Sequence, residues 1–245
     1  MLSETQLDEF TERGFVVIPQ AVPGELLDRA NRRVDGLMAG QPPEAGKVGP
    51  HFYFLETKEE EDLLAPLTGG PAFGYAEELA GSGTLEVPRQ VQVALNIPPF
   101  SHRPGIPHID AANAEPVDDP ELGTFTMLAG VLLTDQLTED SGNLWVWPGT
   151  HRTHAAYFRE HGTGKYCAYP PITLPEPEQV TGRAGDLLLA HYLLGHNIGG
   201  NFTSDQTRRM LYYRISNPEH ATRQKEFLQD VWLEYGPIRS RLTET

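Results

Sequence analysis

The spacing of hydrophobic and polar residues changes character near residue 89 of this chain. Before that point, apolar residues recur three or four positions apart, as in amphipathic helices. Ser3, with a glutamine three residues later, predicts a capped helix that ends before Gly14, and a second helix is predicted over residues 25–38. The apolar run 15–19 predicts a buried strand, and the Gly- and Pro-rich stretch 39–48 predicts a loop.

After residue 89, short β-type runs alternate with turn residues, and the tail after Asn217 has a helical pattern. Many short strands at this spacing are typical of a barrel or jelly roll. We therefore predict one mainly β domain with flanking α-helices over residues 1–245: a decoration over 1–88, a core over about 89–217 and a helical tail over 218–245. The predicted core strands are residues 90–97, 127–134, 144–147, 186–189 and 209–215.

Composition narrows the possible partners. Hydrophobic residues make up 39% and charged residues 22% of the 245 positions, which is ordinary for a globular protein. The 34 acidic residues outnumber the 19 basic ones and give a net charge of -15, which disfavours nucleic acid and anionic membrane surfaces. A small or protein-borne substrate is the more plausible partner, and the composition says nothing about oligomeric state.

A single cysteine, Cys167, excludes an intramolecular disulfide and a cysteine-based zinc cluster. The amino-terminal residues lack the basic and apolar regions of a signal peptide, and no apolar run approaches the length of a membrane span. We therefore expect a cytoplasmic protein that does not contact a membrane.

Candidate metal ligands begin with His108 and Asp110, which follow a Gly-Pro turn. Residues two apart on a strand project to the same face, so this imidazole and carboxylate can meet one ion. A second histidine is needed, and His191 and His196 both qualify. Their odd separation puts them on opposite faces of an extended segment, and the Gly and Asn residues after His196 favour it only slightly over His191. His151 and His154 are expected to be turn or surface residues.

Two histidines and one carboxylate with open coordination positions suit Fe(II) oxygenases. The same donors also suit Zn(II) in a hydrolase, so the ligand set alone leaves both open.

Several segments together resemble the phytanoyl-CoA dioxygenase superfamily, which includes ectoine hydroxylase-like enzymes. The likeness spans most of the chain, and its parts are LSETQLDEFTERGFVVIP, QVALNIPPFSHRPGIPHID, SGNLWVWPGTHR, GDLLLAHYLLGH and GNFTSDQTRRMLYYRIS. The resemblance implies a double-stranded β-helix, a cupin-like jelly roll, that uses Fe(II), 2-oxoglutarate and O2. It also implies that His108, Asp110 and His196 are the metal ligands and the catalytic centre.

The resemblance further implies an arginine that pairs with the far carboxylate of 2-oxoglutarate. Arg208, twelve residues after His196, fits this role, with Arg209 as the alternative; a planar guanidinium suits a bidentate carboxylate. Gln92 and Asn96, on one side of a strand, are expected to contact 2-oxoglutarate or substrate. Thr134 is one candidate for the hydroxyl partner of the arginine. Arg214 fits a later arginine of the family pattern.

The sequence thus predicts a dioxygenase that oxidises, most simply by hydroxylation, a small molecule, with natural-product biosynthesis as the preferred setting. Asp110 argues against halogenation, because halogenases of this fold have a small residue there. The alternatives are a zinc-dependent cupin-type hydrolase or isomerase and a non-catalytic small-molecule-binding jelly roll. The loops 39–48, 111–122 and 154–173 are expected to shape specificity.

Overall fold

A computed structural model describes residues 1–110, 124–163 and 169–244. Cys167 and the predicted loop 111–122 lie outside this part of the chain. The helices are α1 (Glu4–Arg13), α2 (Gly24–Gly40), α3 (Glu61–Thr68), α4 (Ala72–Ala80), α5 (Thr150–His161), α6 (His220–Gln229) and α7 (Gly236–Glu244). The strands are β1 (Phe15–Ile18), β2 (Gly49–Glu56), β3 (Gln90–Ile97), β4 (Met127–Leu132), β5 (Leu144–Trp147), β6 (Glu178–Gln179), β7 (Leu187–His191), β8 (Gly195–Ile198) and β9 (Arg208–Ile215).

Helix α1 begins and ends where its sequence predicts. Ser3 and Gln6 form a reciprocal capping box, in which each side chain accepts a hydrogen bond from the backbone N–H of the other residue. Gly14 ends the helix with a φ of 83°, a left-handed conformation that glycine adopts without strain. A Cβ at Gly14 would also lie 2.4 Å from Nδ1 of His151, so this position needs glycine for space as well.

Two antiparallel sheets face each other. The large sheet has the strand order β1-β7-β4-β9-β3-β2, and the small one has the order β6-β5-β8. Residues of alternating positions on the large sheet, such as Ala94, Leu128 and Tyr212, pack against Leu144 and Val146 of the small sheet. This arrangement confirms the predicted mainly β jelly roll with flanking helices.

The opposite face of the large sheet is covered by helices. Val93, Leu211 and Tyr213 point away from the small sheet and share a second core with Leu26 of α2 and Leu63 of α3. The Tyr213 hydroxyl donates a hydrogen bond to the Leu63 carbonyl. Helices thus cover the outer face of the large sheet, and its inner face lines a cavity between the two sheets.

Several expectations need correction. Strand β2 and helices α3 and α4 have no counterpart among the individual sequence predictions, and the strand predicted over 127–134 ends at Leu132. Most of the predicted loop 154–173 that the structure describes is helix α5 instead. His151 and His154, expected in turns or on the surface, are both fully buried: the His151 ring packs against those of His191 and Trp232, and His154 contacts the Leu193 carbonyl.

Across the part of the chain that the structure describes, every helix is too short or too polar to cross a membrane.

Candidate metal centre

The backbone brings His108 and His196 side by side. His108 forms an isolated bridge with His196 of β8: its N–H donates to the His196 carbonyl at 2.8 Å, and the return bond is 3.0 Å. Directly opposed residues of an antiparallel pair project to the same face, and the two ring centroids are 4.4 Å apart. Gly195 permits this approach, because a Cβ there would lie 3.1 Å from Pro107.

Asp110 completes the cluster from the same face as His108. Its Oδ1 atom lies 3.4 Å from Nε2 of His108 and 3.4 Å from Nε2 of His196. One donor atom from each of the three residues lies within 4.8 Å of the others. Two imidazoles and a carboxylate at this spacing form the donor set of a three-ligand metal site with open positions.

Hydrogen bonds orient the imidazoles of His196 and His191, the two candidates for the second histidine ligand, toward different partners. Nδ1 of His196 lies 2.9 Å from the Leu194 carbonyl, which leaves Nε2 to face Asp110. His191, the alternative ligand, uses both ring nitrogens elsewhere: Nε2 contacts the Val231 carbonyl at 2.8 Å, and Nδ1 accepts from the Leu193 N–H at 3.0 Å. The structure therefore brings His196, not His191, to His108 and Asp110.

The remaining carboxylate oxygen of Asp110 contacts Arg214 of β9. Nε and Nη2 of Arg214 lie 3.0 and 2.8 Å from Oδ2. Nη1 of the same guanidinium donates to Oε1 of Gln92 at 3.1 Å. Gln92 thus supports the arginine that holds Asp110, a contact that the sequence analysis missed. The even spacing of Arg208, Tyr212 and Arg214 along one strand is the signal that puts all three on the cavity face.

These contacts and burial shift the pKa values of the three cluster residues. Burial alone would raise the pKa of Asp110, but hydrogen bonds with His108 and His196 and the charge of Arg214 lower it well below its usual value. Burial, together with the charge of His196, lowers the pKa of His108. Burial would also lower the pKa of His196, but the Asp110 contact raises it above its usual value. An anionic carboxylate between two imidazoles suits a cation, and a metal at this position would compete with a proton for His196.

Arg208 is a buried cation beside the cluster. Its side chain is on the same face of β9 as Arg214, and the residue is only 2% exposed. Nε donates to the Gly142 carbonyl at 2.6 Å and Nη1 to the Ala94 carbonyl at 3.2 Å. No carboxylate among residues 1–110, 124–163 and 169–244 forms an ion pair with it, and burial lowers its pKa. A buried guanidinium that meets only carbonyls calls for an anionic ligand.

These residues line one cavity of about 310 Å³ between the sheets. The polar part of the cavity is formed by the three candidate metal ligands together with Arg208, Arg214 and Gln92. Its other walls are largely apolar and come from both sheets, including the edge strand β2 of the large sheet. They are formed by Pro50, Phe52, Ala94, Leu128, Leu144, Ile198 and Tyr212.

Two predicted site residues have other positions. Asn96 is fully buried, donates through Nδ2 to the Gly199 carbonyl at 2.8 Å, and is not among the residues that line the cavity. Thr134 accepts a hydrogen bond from the Arg209 N–H at 3.0 Å and lines a separate cavity with Arg209 and Asp35. Arg209 faces away from the metal cluster and pairs with Asp35 at 2.8 Å. Thr134 therefore does not reach the candidate 2-oxoglutarate site, because the strand that was expected to carry it inward ends at Leu132.

A jelly roll with two histidines, one carboxylate and a buried arginine in one cavity defines a class, the metal-dependent oxygenases of the double-stranded β-helix fold. The family model "Phytanoyl-CoA dioxygenase (PhyH)" matches residues 76–210. The chain belongs to this family, which confirms the predicted superfamily and makes the protein an iron- and 2-oxoglutarate-dependent oxidoreductase. No curated protein shows significant sequence similarity to the chain.

Solved structures of the same fold include two enzymes from nogalamycin biosynthesis and a protein from Streptomyces hygroscopicus. The non-heme alpha ketoglutarate dependent carbocyclase SnoK from nogalamycin biosynthesis is 19% identical, with a TM-score of 0.62 over 88% of this chain and 84% of that chain. The epimerase SnoN, in complex with Fe3+, alpha ketoglutarate and nogalamycin RO, is 19% identical, with a TM-score of 0.58 over 87% and 83%. HygX from Streptomyces hygroscopicus, with nickel, 2-oxoglutarate and hygromycin B bound, is 16% identical, with a TM-score of 0.59 over 89% and 88%.

Proposed function

We propose that this protein is a dioxygenase that oxidises a small organic molecule, most simply by hydroxylation, with Fe(II) held by His108, Asp110 and His196. Arg208 binds the far carboxylate of 2-oxoglutarate. The observation that carries this proposal is the position of Arg208, a buried cation without a carboxylate partner in the described chain, in the same cavity as the candidate metal ligands. A dicarboxylate that reaches from the metal to Arg208 would provide ligand atoms for the metal and an anionic partner for Arg208.

The donor set fits Fe(II), because two imidazoles and one carboxylate leave three positions of an octahedral ion open. The chemistry that iron supplies when bound is the activation of O2, coupled to loss of CO2 from 2-oxoglutarate. The chain itself holds and orients the reactants. Arg208 aligns 2-oxoglutarate, Arg214 aligns Asp110, and the apolar walls keep water away from the carbon to be oxidised.

The alternatives gain less support. A zinc-dependent hydrolase or isomerase would use the same three ligands, but it would leave Arg208 buried with no anion to meet. A non-catalytic binding module has no need for three metal donors within 4.8 Å of one another. The presence of Asp110 in the cluster also argues against a halogenase, in which a small residue makes room for chloride.

The walls of the cavity indicate what sort of substrate fits. Phe52 and Leu128 line the cavity from the large sheet, and Leu144 and Ile198 line it from the small sheet. These side chains favour a substrate that presents an apolar portion to the metal. SnoN has been solved with nogalamycin RO bound and HygX with hygromycin B bound, and a tailoring step in natural-product biosynthesis is our proposed setting. The net charge of -15 speaks against a nucleic acid substrate.

Anaerobic titration of the metal-free protein with Fe(II) and 2-oxoglutarate tests the proposal. We expect the weak visible charge-transfer band of an iron–2-oxoglutarate complex in the wild type and in His161→Ala, which changes an exposed histidine outside the cavity. We expect no band in His196→Ala. A folded, iron-loaded wild type without the band would contradict the proposal, and zinc-dependent hydrolysis would then be tested next.

A further inference from the structure

Arg214 has a role in the cavity that the family resemblance does not define. It is on β9, six residues after Arg208 and on the same face, so two arginines point from one strand toward one metal site. Their partners differ. Arg208 meets only backbone carbonyls among the described residues, whereas Arg214 contacts the candidate metal ligand Asp110. The two arginines therefore have separate tasks.

The contact between Arg214 and Asp110 involves one carboxylate oxygen only. Nε and Nη2 of Arg214 both address Oδ2, at 3.0 and 2.8 Å. Oδ1 instead faces the Nε2 atoms of His108 and His196, each at 3.4 Å. The two carboxylate oxygens thus have different partners: Oδ1 faces the imidazoles, and Oδ2 accepts the hydrogen bond from Nε and lies in ion-pair contact with Nη2.

The guanidinium itself is held in place from two further directions. Nη1 donates to Oε1 of Gln92 at 3.1 Å. The guanidinium carbon also lies 5.7 Å from the centre of the ring of Phe125, a buried side chain, within the range of a cation–π contact. With these contacts, Arg214 has a fixed orientation, and rotation of the Asp110 carboxylate would break the charge-assisted hydrogen bond from Nε and the ion-pair contact with Nη2.

We infer that Arg214, supported by Gln92, is a positioning residue that keeps Asp110 a one-oxygen ligand of the metal. This inference rests on the proposed iron site. Three donor atoms from the protein leave three positions of an octahedral ion open. Two of these positions would bind 2-oxoglutarate and one would bind O2. A carboxylate free to bind through both oxygens would take one of those positions.

The test measures metal affinity without turnover. Metal-free protein is titrated with Co(II), without 2-oxoglutarate, and the visible absorption of bound Co(II) gives both the Kd and the coordination state. We expect Arg214→Met to raise the Kd about 10- to 100-fold, the usual effect of losing a partner of a metal ligand. We also expect a changed Co(II) absorption spectrum, because a second carboxylate oxygen would replace a water ligand of the ion. Arg214→Lys retains the charge without the planar guanidinium, so its Kd should lie between those of the wild type and Arg214→Met.

Arg209→Met is the matched control. Arg209 is the neighbouring residue on β9 and also forms an ion pair, but with Asp35 on the other side of the sheet. Its Co(II) Kd and spectrum should equal those of the wild type. An Arg214→Met protein within twofold of the wild type in Kd, with an unchanged spectrum, would overturn the inference. An equal loss in Arg209→Met would also overturn it, because the effect would then belong to the strand as a whole.

A second variant separates an effect on metal affinity from an effect on folding. Gln92→Met removes the acceptor for Nη1 of Arg214 and leaves the ion pair with Asp110 in place. We expect a several-fold rise in the Co(II) Kd, and if Arg214→Met does not fold, an unchanged Kd in Gln92→Met overturns the inference. The proposed function fails in a different way: a wild type that binds Fe(II) but forms no charge-transfer band with 2-oxoglutarate contradicts the oxygenase, not the role of Arg214.

Discussion

Replacement of Arg208 by methionine removes the charge that we assign to 2-oxoglutarate and retains most of the side-chain volume. In the wild type, Arg208 is 2% exposed, and its guanidinium donates to two backbone carbonyls, those of Gly142 and Ala94. A bidentate carboxylate would meet it in a site shielded from water. Loss of one partner of such a buried charge pair costs about 2–5 kcal/mol.

This cost converts directly to affinity. At about 1.4 kcal/mol for each factor of ten, the Kd for 2-oxoglutarate should rise between about 30-fold and several thousand-fold. The stability of the unliganded protein should change much less. The variant loses two hydrogen bonds, each with a net contribution of about 1 kcal/mol, but it also removes a cation that is costly to bury without an anion.

The assay is thermal unfolding of the Mn(II)-loaded protein with and without 2-oxoglutarate. A ligand at 100 times its Kd stabilises the folded state by about 2.7 kcal/mol, so the wild type should show a clear rise in Tm. Arg208→Met should unfold near the wild-type temperature without 2-oxoglutarate and should show almost no rise with it. Arg209→Met should respond as the wild type does. A full ligand-induced rise in Arg208→Met, or its loss in Arg209→Met, would refute the assignment of Arg208.

Three more outcomes follow from the contacts of single residues. Thr134→Val should leave the Kd for 2-oxoglutarate unchanged and lower stability by about 1 kcal/mol, because its hydroxyl accepts from the Arg209 N–H; a large loss of 2-oxoglutarate affinity would contradict its placement. His191→Gln should keep the iron–2-oxoglutarate band but lower the Tm, since both ring nitrogens of His191 bond to backbone; loss of the band from a folded variant would return His191 to the list of ligands. Burial lowers the pKa of His154 to about 4 and of His191 to about 3. The unfolded chain takes up these protons below about pH 6.5 and the folded chain does not, so stability should fall as the pH drops from 6.5 toward 4, by on the order of 3 kcal/mol for His154. Urea unfolding at pH 7 and pH 5 measures this, and His154→Gln should show a smaller pH dependence than the wild type; equal slopes would show that His154 does not titrate as its burial indicates.

Local signals predicted the parts of the fold that depend on neighbouring residues. The capping box at Ser3 and the turn at Gly14 set the limits of α1, and alternation predicted β3 to within its observed bounds. The pair His108 and Asp110 shares a face because side chains two apart on an extended chain must do so. The strand β2 was missed, because a Gly-Pro start and exposed aromatic residues, among them Phe52, do not show the alternation of a half-buried strand.

The family, the jelly roll and the candidate ligands were within reach of the sequence, since they depend on residue types in a fixed order along the chain. Spacing alone favoured His196 over His191 only slightly, and the family pattern was needed to select His196. The chain turns between the two histidines, and the pairing of β8 with residue 108 is what brings the His196 imidazole to Asp110. Likewise, the partner of Arg214 and the position of Thr134 follow from strands that are far apart in sequence and are brought together by hydrogen bonding across the sheet. Sequence by itself determined which chemical groups this protein has; the long-range pairing of its strands, which local patterns do not encode, decided which of them meet in one cavity.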